Sequence, residues 1–171
     1  MKTAVVTGGT SGIGLGVATI LVSKGYRVIT TYVGALPESL PAGVEAVSCD
    51  QTERQQTYQF IEHVKKKSTT VDCIICNAGM SIRKSFVETQ DADWDAMMEV
   101  AVNSHYILIR ELFPMIPHNS RIVFTGSQMV RHPHATVLAY GVTKAAVHAL
   151  TQNLVKEFEG TGTTVNPIVP G

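Results

Sequence analysis

The chain has 171 residues, 44% of them hydrophobic and 16% charged, which is ample for one core and argues against disorder. Fourteen Lys and Arg balance fourteen Asp and Glu, so no basic footprint points to nucleic acid or to an anionic membrane surface. Three cysteines, a small and odd number, fit a reducing compartment better than a disulfide scaffold.

From the first residues the chain reads as a strand, Thr3 to Thr7, broken by Gly8-Gly9 too early to form a secretory core. No apolar stretch reaches the roughly 18 residues of a membrane span. The expectation is a cytoplasmic protein whose residues 1–171 form a single domain. Further short, β-branched runs follow at Arg27 to Tyr32, Val44 to Ser48, Val71 to Cys76, Arg121 to Thr125 and Thr163 to Val169. Between most of them lie stretches with helical spacing: Gly12 to Lys24, Thr52 to Lys67, Asp91 to Ile116 and Ala139 to Phe158. Strands that are apolar throughout, alternating with helices, imply a parallel sheet covered on both faces. The fold class is therefore α/β, a Rossmann-type doubly wound parallel sheet of about six strands. Ligands of such sheets sit at the carboxyl ends of the strands.

Three segments carry candidate chemistry. Thr7-Gly8-Gly9-Thr10-Ser11-Gly12-Ile13-Gly14 lies between the first strand and the first helix. Its glycines permit a tight turn, and the helix start offers unpaired N–H groups to a pyrophosphate. Tyr140 and Lys144, four residues apart, share one helix face. A lysine ammonium beside a phenol stabilises the phenolate, which fits Tyr140 for proton transfer near neutral pH. Ser127, thirteen residues upstream of Tyr140, lies just past the fifth strand, where its hydroxyl could hold a carbonyl oxygen. Cys73 and Cys76 have metal-like spacing, but residues three apart in a strand face opposite sides, so they read as core and no metal site is expected. His132-Pro133-His134, with Arg131, reads as a solvated loop; a rim for an acidic or polar substrate is the alternative.

Together these motifs resemble the short-chain dehydrogenase/reductase family, in the branch marked by T-G-x-x-x-G-x-G and Y-x-x-x-K. The nearest group is that of 3-oxoacyl carrier-protein reductases. Thr7, Gly8, Gly12 and Gly14 match the cofactor loop, and Asn77-Ala78-Gly79 matches N-N-A-G with Cys76 in place of the first Asn. Ser127, Tyr140 and Lys144 match the catalytic triad, and Val165-Asn166 with Pro170-Gly171 match the last strand and the turn after it. The resemblance implies an oxidoreductase moving a hydride between a nicotinamide cofactor and a small carbonyl or secondary alcohol. In it Tyr140 exchanges the proton, Ser127 polarises the substrate oxygen and Lys144 holds the nicotinamide ribose. Cofactor contacts are expected from Gly8, Thr10, Ser11, Gly12, Ile13, Gly14, Tyr32, Asp50, Gln51, Asn77, Ala78, Gly79, Tyr140, Lys144, Pro170 and Gly171. Asp50 serves equally well as a cap of the next helix, with Glu53 three residues on. Tyr32 stands where an NAD-binding acid belongs, and Ser11 where many NADP-dependent relatives carry Arg. NADP is favoured over NAD.

Two departures from the family pattern stand out. Ala101, thirteen residues ahead of Pro114, occupies the place of an Asn of the proton relay. Asn103 is nearby, but two helical residues turn a side chain by about 200°. Either a local bulge brings Asn103 round or the relay runs on water, and the second is favoured. The chain also ends where relatives continue into a substrate-covering helix and a seventh strand, as a fragment would. A catalytically weak nucleotide-binding scaffold or sensor is the alternative function. Apolar residues on the two long helices suggest a homodimer, with a tetramer open to a full-length form.

Overall fold

The structure, a computed structural model, describes residues 1–170. Strand β1 (Lys2–Val6) shows why the sheet is buried on both sides. Its Val5 packs into one apolar cluster, while Ala4 and Val6 pack into another across the sheet. The remaining strands are β2 (Tyr26–Tyr32), β3 (Val44–Ser48), β4 (Cys73–Cys76), β5 (Arg121–Thr125) and β6 (Thr164–Ile168). All pairings are parallel, in the order β3-β2-β1-β4-β5-β6.

Register carries one apolar row across five strands: Ile29, Val5, Ile74, Ile122 and Val165 are successive partners. Burying each such side chain contributes about 1.5–3 kcal/mol before ordering costs. Cys73 and Cys76 fall into the two different clusters, on opposite faces of β4 as their spacing demands. All three thiols are free, and burial pushes Cys49 up to about 12 and Cys73 up to about 11.

Helices α1 (Gly12–Ser23), α2 (Arg54–Lys67), α3 (Asp91–Met98), α4 (Ser104–Leu112) and α5 (Leu138–Glu157) cover the sheet. Among the described residues no helix is long and apolar enough to cross a membrane. The expected continuous helix from Asp91 to Ile116 is interrupted. A π-helical turn, Glu99–Asn103, separates α3 from α4, and a 3₁₀ turn at Phe113–Met115 ends the segment. The wide turn is held by side chains: Ser104 Oγ donates to the Val100 carbonyl at 2.7 Å, and His105 Nδ1 donates to that of Ala101 at 3.0 Å.

The chain leaves β1 toward β2 on one side and enters β4 on the other. The loops after β1 and β4 therefore part at a crevice over the carboxyl ends of the strands.

Candidate active site

The glycine loop fills one wall of that crevice. Gly8 and Gly12 adopt φ of 64° and 50°, the left-handed region a side chain resists. The hydroxyls of Thr31 and Thr30 fasten the loop, accepting from the N–H groups of Gly8 at 2.8 Å and Gly9 at 2.7 Å. These two threonines escaped the sequence reading. The only signal was a pair of hydroxyls at the end of an otherwise apolar strand, and their partners lie over twenty residues away. Helix α1 begins with no side-chain cap and no acidic residue in its first turn. Its first N–H groups and positive dipole end are thus free for an anion.

A cleft of about 660 Å³ runs from this loop across the sheet. Gly8, Thr10, Ser11, Gly12 and Ile13 line it from the loop, Tyr32 from the end of β2, and Asp50 and Gln51 from the segment after β3. Asn77, Ala78 and Gly79 line it after β4, and Tyr140 and Lys144 close its far end. The structure adds detail at three of the expected positions. Gly14 does not line the cleft; a Cβ there would press into the Gly8 carbonyl oxygen and stand 2.7 Å from Asn77 Nδ2, so its smallness lets α1 meet the Asn77 turn. The Gln51 side chain turns inward, accepting from Thr31 Oγ1 at 3.1 Å and donating to Ser104 Oγ at 2.8 Å. Asp50 does not cap α2, because Glu53 holds that place; its Oδ1 accepts from the N–H and hydroxyl of Thr52.

At the reacting end, Lys144 is 3% exposed, and its Nζ donates to the Thr125 carbonyl at 2.7 Å. Burial lowers its pKa to about 8. The same Nζ lies 5.5 Å from the centre of the Tyr140 ring, one helical turn away on α5. Ser127 Oγ accepts from the Met129 N–H at 3.2 Å, starting a short 3₁₀ turn. Ser127 lines a second cleft, about 380 Å³, as do Tyr140 and Pro170. Pro170 therefore faces this second cleft, and Gly171 lies outside the described residues. Tyr140 lines both cavities and stands where they join.

A bulge, the less favoured alternative, does form at Glu99–Asn103, but it leaves Asn103 outside both clefts. Asn103 Nδ2 donates to Glu99 Oε2 at 2.6 Å, and Arg54 grips the same carboxylate. The sequence reading also passed over His105, 2% exposed on α4. A carbonyl can only accept, so His105 Nδ1 carries the proton and Nε2 accepts from the Thr7 hydroxyl at 2.9 Å. Burial holds this imidazole neutral, lowering its pKa to about 3. Thr7 Oγ1 in turn accepts from the N–H groups of Asn77 and Ala78, both at 2.9 Å. Asn77 Nδ2 donates to the Thr7 carbonyl at 3.1 Å, and its Oδ1 accepts from Thr125 Oγ1 at 3.2 Å. One buried chain of contacts thus runs from α4 through the glycine loop to the carbonyl that holds Lys144.

Known proteins bear on this arrangement. The family profile described as short chain dehydrogenase matches residues 2–171. A 2-dehydro-3-deoxy-D-gluconate 5-dehydrogenase of Pseudoalteromonas atlantica is 33% identical, over 99% of this chain and 71% of its own. A blue fluorescent protein from a metagenomic library, solved with NADPH, superposes with a TM-score of 0.92 at 28% identity, over 99% of this chain and 74% of that one. A short chain dehydrogenase from Burkholderia cenocepacia, solved with NADP, gives 0.91 at 29% identity over the same shares. With the parallel sheet, the glycine loop and the Tyr140–Lys144 pair in place, the chain belongs to the short-chain dehydrogenase family of NAD(P)-dependent oxidoreductases.

Proposed function

We propose that the protein is an NADPH-dependent reductase that converts a carbonyl group to a secondary alcohol. The observation that carries this reading is the position of Tyr140 at the junction of the two clefts, with Lys144 against its ring and Ser127 in the second cleft. The uncapped, acid-free start of α1 fits the cofactor's pyrophosphate, and the NADP and NADPH complexes of the two structural relatives support the choice of cofactor. No Asp or Glu stands at the end of β2, where Tyr32 and Val33 line the cleft. A carboxylate there would repel a 2′-phosphate.

When bound, the reduced nicotinamide supplies the hydride. Tyr140 gives the proton to the substrate oxygen, and the Ser127 hydroxyl donates to that oxygen as negative charge builds on it. Lys144, charged below about pH 8, stabilises the phenolate left on Tyr140 and holds the cofactor's ribose hydroxyls. Position 101 has no amide to anchor a relay, so water reprotonates Tyr140.

Tyr140→Phe tests this directly. The ring, its packing and the Lys144 contact remain, while the proton donor is lost. Turnover should fall by about 10²–10⁴-fold with NADPH affinity within about threefold of wild type. Equal turnover in the variant would refute the assignment. We further propose a homodimer through α4 and α5, where Tyr106, Phe113 and Val155 are each more than two-fifths exposed beside a groove lined by Ile109 and Leu154.

A further inference from the structure

The second cleft has a charge character of its own. Ser127 and Tyr140 occupy one part of its wall, and Arg83 and His134 another. Arg83 comes from the loop that follows the Asn77–Gly79 turn, and His134 from the loop between β5 and α5. The two loops are tied, because the Lys84 N–H donates to the Thr136 carbonyl at 3.0 Å. Arg83, adjacent to Lys84, and His134, two residues before Thr136, reach the same cavity.

Both groups keep donors that no described residue takes up. The Arg83 guanidinium makes no hydrogen bond or ion pair with any described residue, whereas Arg27, Arg54 and Arg110 are each held by a glutamate. His134 Nδ1 accepts from the Thr136 N–H at 3.3 Å, so its ring proton sits on Nε2 and is free to donate. Among the described residues, no Asp or Glu lines this cleft. Arg131 and His132, from the same loop as His134, do not line it either. A guanidinium fork and an imidazole N–H beside a carbonyl-binding hydroxyl pair suit a molecule that carries both a carbonyl and an anionic group.

We propose that the substrate is an oxo acid, with its ketone at Ser127 and Tyr140 and its carboxylate received by Arg83 and His134. Arg83 would take the carboxylate in two parallel N–H···O bonds, the geometry that guanidinium and carboxylate share. His134 would add a third donor from the opposite loop. The two residues set which carbonyl compounds are accepted and take no part in the proton transfer. This inference rests on the reductase reading above and narrows its substrate class.

The test uses the full chain loaded with NADPH and a panel of short 2-, 3- and 4-oxo acids, each beside its methyl ester. The ester keeps the ketone and removes the charge. For at least one pair, kcat/KM or the calorimetric Kd should favour the acid by about tenfold or more, the value of a charged hydrogen bond. Arg83→Met and His134→Leu should each lower that acid-over-ester ratio, and turnover of the ester checks that each variant is folded. Acids nowhere preferred, or a ratio that survives Arg83→Met, would overturn the proposal while leaving the reductase reading intact. Failure of the chain alone to bind NADPH in a separate calorimetric titration would instead bring down the reductase reading, and the oxo-acid proposal with it.

Discussion

Acid should destabilise this protein through His105, and the effect should disappear when that residue cannot titrate. The native imidazole stays neutral down to about pH 3, because burial penalises its charged form, whereas an unfolded histidine protonates near 6.5. Between those values the unfolded chain holds a proton that the native state refuses. Stability is therefore fully present above about pH 6.5 and drains away as the pH falls toward 3. Each unit corresponds to about 1.4 kcal/mol, so going from pH 7 to pH 4 withdraws about 3 kcal/mol. Glutamine at position 105 keeps a donor and an acceptor without titrating. Urea unfolding followed by circular dichroism at pH 7, 5.5 and 4, on wild type and His105→Gln, isolates the effect. Carboxylates such as Glu99, held below its usual range by the Arg54 guanidinium, also take up protons, but equally in both proteins. The wild-type midpoint should fall by about 1–2 M more than that of the variant, for an m value of about 2 kcal/mol/M. Parallel profiles would show that His105 is hydrated or charged in the native state, and the chain of contacts from α4 to Asn77 would lose its anchor.

Gly14→Ala should force α1 away from the Gly8 carbonyl and the Asn77 amide. It should cost about 1–3 kcal/mol by overpacking and weaken NADPH binding by at least about tenfold, as calorimetry would read; near-native affinity would show that the contact relaxes easily. Lys144 becomes neutral above about pH 8 through burial, so NADPH affinity should decline as the pH rises through that value, and Lys144→Met should flatten the curve. The same lowered pKa acts oppositely on the unliganded fold. Between about 8 and 10.5 the unfolded chain binds the proton that native Lys144 releases, so stability should rise with pH by up to about 3 kcal/mol. Thermal unfolding across that range checks the sign.

Local pattern carried most of what this chain says about itself. Apolar runs alternating with helical spacing specify a parallel sheet, since only strands buried on both faces can be apolar throughout. The glycines after β1 and the four-residue step from Tyr140 to Lys144 are short-range signals, legible because turns and helix faces depend on neighbours in sequence. Tertiary structure decided whatever depended on distant partners. The π turn that breaks the helix after Met98 leads into His105, whose Nε2 accepts from the Thr7 hydroxyl at the far end of the sequence. Gln51 lines the cleft with its amide turned inward, because Thr31 and Ser104, far apart in the chain, take up its oxygen and nitrogen. Arg83 and His134 are 51 residues apart in sequence, and nothing in their local spacing brings them together. One backbone hydrogen bond between their loops does so, because a sheet that fixes its strand ends also fixes which loops can meet above them.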